Sequence, residues 1–302
     1  MREACSSIVR VLGRRLSASE GARWIIVGGI VAALLLGPGV ASAQLNQTLH
    51  YDGWILAAAR APGLHGSIWR TDLWLNLLGM ASDAEVTLYF CRLGDDNSGV
   101  EGIPVPLDFE RWQRTYYFED VVGSLLGVTG GSWVGAIHYA SNVPIQASAR
   151  VYSISADGRA SYGQLVEGIP TADMSPDDDP WNSREHQWMF AAKHTADGRF
   201  RVNFGIVNPT SVEASYTVQM FDSTGNDPGG EPAHVSVTVP PMSMVQLSDP
   251  FAGVAGGEWS DMLIRTICQT EGGGTFSYAS VVDNATNDAY FLRGVKLLFP
   301  EE

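Results

Sequence analysis

At 302 residues, with 45% hydrophobic and 17% charged side chains, the chain has enough apolar material for a buried core and is long enough for two ordinary domains. Its 33 acids against 19 bases give a formal charge of −14, and the long-range field of that charge opposes a nucleic-acid backbone or an anionic membrane surface as partner. The 33 glycines and 15 prolines among 30 aromatic residues read as turns punctuating strands.

Residues 1–43 read as a secretory signal peptide. Five arginines (Arg2, Arg10, Arg14, Arg15 and Arg23) precede Trp24, an apolar stretch runs from Trp24 to Val40, and Ala41-Ser42-Ala43 offers the small residues a peptidase pocket accepts. That stretch carries Gly28, Gly29, Gly37 and Pro38 and is shorter than the ~20 apolar residues a stable span needs, so cleavage after Ala43 is expected, with no membrane span left afterwards. The remaining chain has 14 bases and 31 acids, a net charge of −17. It keeps two cysteines, Cys91 and Cys268, which are expected to be separate buried thiols.

The rest is one pattern written twice. Gly66-Ser67-Ile68-Trp69-Arg70-Thr71-Asp72-Leu73-Trp74-Leu75-Asn76 reappears in outline at Gly198–Asn208, an offset of 132. Trp54 with Ala57-Ala58 matches Trp188 with Ala191-Ala192, Tyr89-Phe90 matches Met220-Phe221, and Gly130-Gly131-Ser132-Trp133 matches Gly256-Gly257-Glu258-Trp259. Coincidences kept in order argue for a duplicated domain. Within each copy, runs such as Val86–Phe90, Tyr216–Met220 and Val235–Val239 alternate with period two, the mark of strands with one buried face. About seven short strands per unit predict an all-β protein of two tandem antiparallel immunoglobulin-like β-sandwiches. The first is expected over 44–170 and the second over 185–302, joined by an exposed acidic, proline-containing linker over 171–184, with each half able to fold alone.

The run Ala61–Asn76, with Asp120-Val121-Val122 and Ser148-Ala149-Arg150-Val151-Tyr152 through Gln164, resembles a repeat of secreted bacterial proteins built of tandem immunoglobulin-like β-sandwiches. The resemblance covers most of the first unit and implies an extracytoplasmic β-sandwich without an established activity. The second unit departs from it: Phe204 falls where Asp72 stands, and Ser280 where Arg150 stands.

No catalytic residues emerge. The six histidines form no zinc-type spacing, and Gly130-Gly131-Ser132-Trp133-Val134 lacks the final glycine of a nucleophile elbow. Asp72 lies among Ile68, Trp69, Leu73 and Trp74, where an unpaired carboxylate is costly, so a structural Asp72–Arg150 salt bridge is expected. Asp95-Asp96 and Asp177-Asp178-Asp179 offer hard oxygens of the kind Ca²⁺ takes, but neither run has the spacing of an EF-hand loop, and solubility and turn geometry are the plainer account. Trp69 and Trp112, which lack counterparts in the other unit, are the candidates for stacking on sugar rings, whereas the matched Trp54 and Trp188 read as packing. These readings give an exported, non-catalytic structural or adhesive module, periplasmic, surface-bound or secreted, whose partners are other surface proteins or glycans. A carbohydrate-binding module and a hydrolase with an unrecognised carboxylate pair are the alternatives.

Overall fold

The computed structural model describes residues 50–296 apart from 64–65, 78–82, 108–114, 129, 159–160, 177–185, 196, 223–232, 249, 251–258 and 287. The segment read as a signal peptide, together with Trp112, Asp177, Asp178 and Asp179, lies outside the described residues.

The protein is all-β. Its first half holds β1 (His50–Pro62), β2 (Ile68–Leu77), β3 (Val86–Arg92), β4 (Ile103–Pro104), β5 (Thr115–Phe118), a single-turn helix α1 (Val121–Ser124), β6 (Trp133–Ile154), β7 (Ser161–Glu167) and β8 (Ile169–Pro170). A 3₁₀ turn (Thr171–Asp173) and β9 (Ser175–Pro176) follow. The second half holds β10 (Gln187–His194), β11 (Phe200–Asn208), β12 (Ala214–Phe221), β13 (Ala233–Val239), β14 (Ser243–Ser248), β15 (Trp259–Cys268), β16 (Gly274–Asp283), β17 (Ala289–Arg293) and β18 (Val295–Lys296). Every pairing among these strands is antiparallel.

Alternation decides which side chains go inside. Leu73, Leu75 and Leu77 of β2 enter the first core while Asp72, Trp74 and Asn76 take the other face. On β12, Ala214, Tyr216, Val218 and Met220 enter the second core, and Ser215, Thr217, Gln219 and Phe221 face outward.

In the first half the strands pair in the order β4-β3-β6-β1-β2-β5, with β7 on β6 and β8 on β1. In the second, β13-β12-β15-β10-β18 form one sheet and β14-β11-β16-β17 another. The two halves differ in the run of one long strand. The 22-residue β6 runs unbroken past β1 and β3 and on to β2 and β7, whereas its positions in the second half are divided between β15 and β16. The break falls at Gln269–Gly273, where Gly272 takes φ +75°, a left-handed conformation open to glycine, and the Gly273 N–H donates to Thr270 O at 3.0 Å.

The described parts of the two halves share a buried core. Residues Thr48–Glu302 form one compact unit, and a third buried cluster joins Trp54, Leu56, Cys91, Ala136 and Ile169 to Val207, Met244, Phe276 and Tyr278. The expected exposed linker is corrected in its described part. Ser175 is buried, β9 pairs with β16, Gln187 Nε2 donates to Ser175 Oγ at 2.8 Å, and Lys296 Nζ donates to Met174 O at 3.2 Å. Extending the edge of β16 satisfies backbone groups that a free linker leaves to water. Heating the chain should therefore give one cooperative transition, with equal calorimetric and van't Hoff enthalpies; two resolved transitions would mean that the seam contributes little.

Candidate functional site

The best-built constellation lies along this seam. The β1–β6 register sets Trp54 opposite His138, β3 sets Tyr89 opposite His138 from the other side, and β8 sets Ile169 opposite Trp54. His138 is thus stacked between two rings, with centroids at 4.7 Å from Trp54 and 5.1 Å from Tyr89. Against this row the second half presents Val207, Met244, Phe276 and Tyr278, and Trp54 is left 1% exposed. Tyr278 lies flat over its sheet because β11 carries Gly205 opposite it; a Cβ there would run into the tyrosine ring. Four hydrogen bonds close the rim: Gly94 N–H to Met244 O (3.0 Å), Asn97 N–H to Pro241 O (3.0 Å), Ser243 Oγ to Arg92 O (3.1 Å) and Ser280 Oγ to Gln164 Oε1 (2.9 Å).

At the edge of the row Asp52 accepts from His138 Nε2 at 2.8 Å and from Thr171 Oγ1. Burial pushes its carboxyl up, but the bonds from His138 and Thr171 and the charge of the imidazole outweigh that and hold it below the ordinary carboxylate range. A carboxylate depressed in the folded state contributes stability above its unfolded pKa and loses it as pH falls through the folded value. Asp52→Asn should accordingly flatten the acid limb of urea midpoints between about pH 5 and pH 2, while changing little at neutral pH beyond a constant offset. An unchanged acid limb would remove Asp52 from that role.

The two cysteines are free and buried, as expected. Burial pushes the Cys91 thiol up to about 12, so it is an inert packing group in the seam.

Asp95 and Asp96 are engaged within their own loop. Asp95 pairs with Arg92 at 3.4 Å, and Asp96 Oδ1 accepts from Ser98 N–H (3.0 Å) and Oγ (2.7 Å). Beside them the buried Asn97 side chain accepts from Arg92 N–H and donates to Arg92 O, standing in for a strand partner at the end of β3. Among the described residues no three His, Cys, Asp or Glu side chains gather in the manner of a metal site.

The Asp72–Arg150 expectation needs correction. The two residues stand directly opposite in the β2–β6 register, yet the Asp72 carboxylate, 5% exposed, takes other donors. These are the Asp120 N–H (2.9 Å) and Tyr152 hydroxyl (3.1 Å) on Oδ1, and the Tyr117 hydroxyl (2.9 Å) on Oδ2. Arg150 donates to Ser161 Oγ at 2.9 Å and lies over the Tyr152 ring, 4.6 Å from its centroid. Two neutral hydroxyls and an amide satisfy the carboxylate without stripping a guanidinium of water, so Arg150 stays at the half-buried rim. Burial, then the bond to Asp72, pushes each of Tyr117 and Tyr152 up to about 12. The next carboxylate, Asp120, receives Arg60 and, at 3.8 Å, Arg70. Asp120 takes the left-handed φ of 47° ahead of α1, a strain its N–H bond to Asp72 offsets. The counterpart also shifts. Phe204 points into the second core, and Asn203 is the residue opposite Ser280.

Trp69 is half-buried, packed against the first core beside Gly63, and does not offer a flat open ring. A cavity of about 240 Å³ opens between the halves, lined by Leu165, Glu167, Phe291 and Arg293. No family model, curated protein or solved structure matches the chain.

Proposed function

We propose that the chain is a non-catalytic exported structural or adhesive module, in which two copies of one immunoglobulin-like sandwich are held in fixed orientation. The observation that carries this is the recurrence of cross-strand partners. Ile169–Trp54–His138–Tyr89 in the first half corresponds to Val295–Trp188–Arg265–Gln219 in the second, strand for strand. The apolar seam supports a stiff pair rather than two swinging beads, because burying Trp54, Leu56, Phe276 and Tyr278 together makes separation costly. The signal-like residues 1–43 support export.

The test is recovery of the protein from the envelope or medium of its own cells, with Gln44 as first residue, followed by a glycan array on the mature chain. Export with cleavage and no saturable glycan binding agrees with the proposal. A cytosolic chain beginning at Met1 overturns export, and saturable binding lost on Trp69→Ala or Trp112→Ala favours a carbohydrate-binding module instead.

A further inference from the structure

The register that sets Ile169 opposite Trp54 and Val295 opposite Trp188 makes the residues just ahead of them equivalent too, Leu165 to Phe291 and Glu167 to Arg293. The backbone repeats with them: Gly168 N–H donates to Ala147 O at 2.9 Å, and Gly294 N–H to Ser277 O at 2.7 Å. Alternation turns Val166 and Leu292 toward the cores and leaves the four equivalent side chains on the other face of β7 and β17. Among the described strands β7 pairs with β6 alone and β17 with β16 alone, so both are sheet edges.

These four side chains line the cavity of about 240 Å³ between the halves. Leu165, 58% exposed, and Phe291, backed by Tyr278 at 5.0 Å, give it apolar walls. Glu167 and Arg293 put opposite charges at one duplicated position. They form no ion pair with each other, and neither side chain has a hydrogen bond or an ion pair with another described residue. In a chain whose acids outnumber its bases an arginine finds a carboxylate easily, as Arg60, Arg92 and Arg199 do, and Arg293 does not. The bond from Ser280 Oγ, opposite Phe291, to Gln164 Oε1, beside Leu165, ties the two walls together, so the cavity is preformed.

We propose that this cavity binds a small zwitterion, an α-amino acid with an apolar side chain. Its carboxylate takes the Arg293 guanidinium, whose parallel N–H groups suit it, and its ammonium donates to Glu167. Its side chain lies against Leu165 and Phe291. Size sets the class, because the volume is below the roughly 300–1,000 Å³ of sites for drug-sized molecules and leaves out an oligosaccharide. A single ring with one face taken by Tyr278 is not the aromatic cage that suits a quaternary ammonium, so the cationic end carries N–H donors. Glu167 and Arg293 are exposed, so the binding is weak and falls with added salt. A ligand that touches one strand of each half also stabilises the seam between them.

Amide chemical shifts of the isotope-labelled chain, followed as L-leucine is added, test this. The expected result is saturable shifts centred on residues 163–168 and 290–295. N-acetyl-leucine, which lacks the ammonium, and leucinamide, which lacks the carboxylate, should each bind about fivefold more weakly. Glu167→Gln should weaken leucine by that factor and leave N-acetyl-leucine unchanged, whereas Arg293→Gln should weaken leucine and leave leucinamide unchanged. Leucine should also raise the urea midpoint of the unaltered chain and not that of the double variant. No saturable shift overturns the proposal, as do shifts centred elsewhere or equal binding of leucine and its two singly charged analogues. Strong coupling between Glu167 and Arg293 in a double-mutant cycle without leucine overturns it too, because the charges then serve each other. Each of these results leaves the reading of an exported two-copy module standing, since that reading makes no use of the cavity.

Discussion

Trp54→Ala should destabilise the chain by about 3–5 kcal/mol, the largest effect of any single aromatic truncation among the described residues. The indole is 1% exposed and stacked on His138, and it is 6.5 Å, centroid to centroid, from Phe276 across the seam. Truncation removes its transfer free energy and leaves a void between two sheets that cannot collapse onto it without parting the rim hydrogen bonds. Trp188→Ala, at the same place in the pairing scheme, should cost well under half as much because its outer side already meets water. Urea unfolding at neutral pH measures both. Equal losses would mean that the seam does not set the stability.

Asp72→Ala should cost about 3 kcal/mol, and the coupling should be to Tyr152 rather than to Arg150. The carboxylate organises three donors, so its loss strands two tyrosine hydroxyls and the amide that holds Asp120 at positive φ. A double-mutant cycle of Asp72→Ala with Tyr152→Phe should give a coupling of about 1–2 kcal/mol, and one with Arg150→Ser close to zero. Coupling concentrated on Arg150 would restore the ion pair that the sequence suggests.

Much of the architecture was legible in the residues, and the misreadings have physical causes. Period-two runs identified strands such as β3, β12 and β13 because alternation is a local property of the backbone. The match of Trp54 with Trp188 was also legible, but not their different fates, since burial there depends on which sheet lies across the seam. Aligning Asp72 with Phe204 failed by one residue, which in a strand exchanges the two faces; alternation around Leu73 and Leu75 points to Asn203. The donors to Asp72 follow the same logic. Tyr152 shares a face with Arg150, two residues along, and its ring carries a hydroxyl to the carboxylate that the eye assigns to the charge. Thr171–Pro176 looked like a spacer because its residues are polar, and polarity does not reveal an open sheet edge waiting at β16.

The unbroken β6 also dictates an order of assembly. It is the shared neighbour of β1, β2, β3 and β7, and its partner β1 comes early: Asp52 and His138 are 86 residues apart. A chain emerging from its N-terminus therefore holds β1, β2 and β3 as apolar strands without a common neighbour until Ile154 has appeared. Then the whole sheet closes on one template within a single step. Such long-range closure is slow, and the waiting strands are the aggregation hazard of this fold. The second half, with β15 and β16 separated by a turn, can complete one sheet before the other.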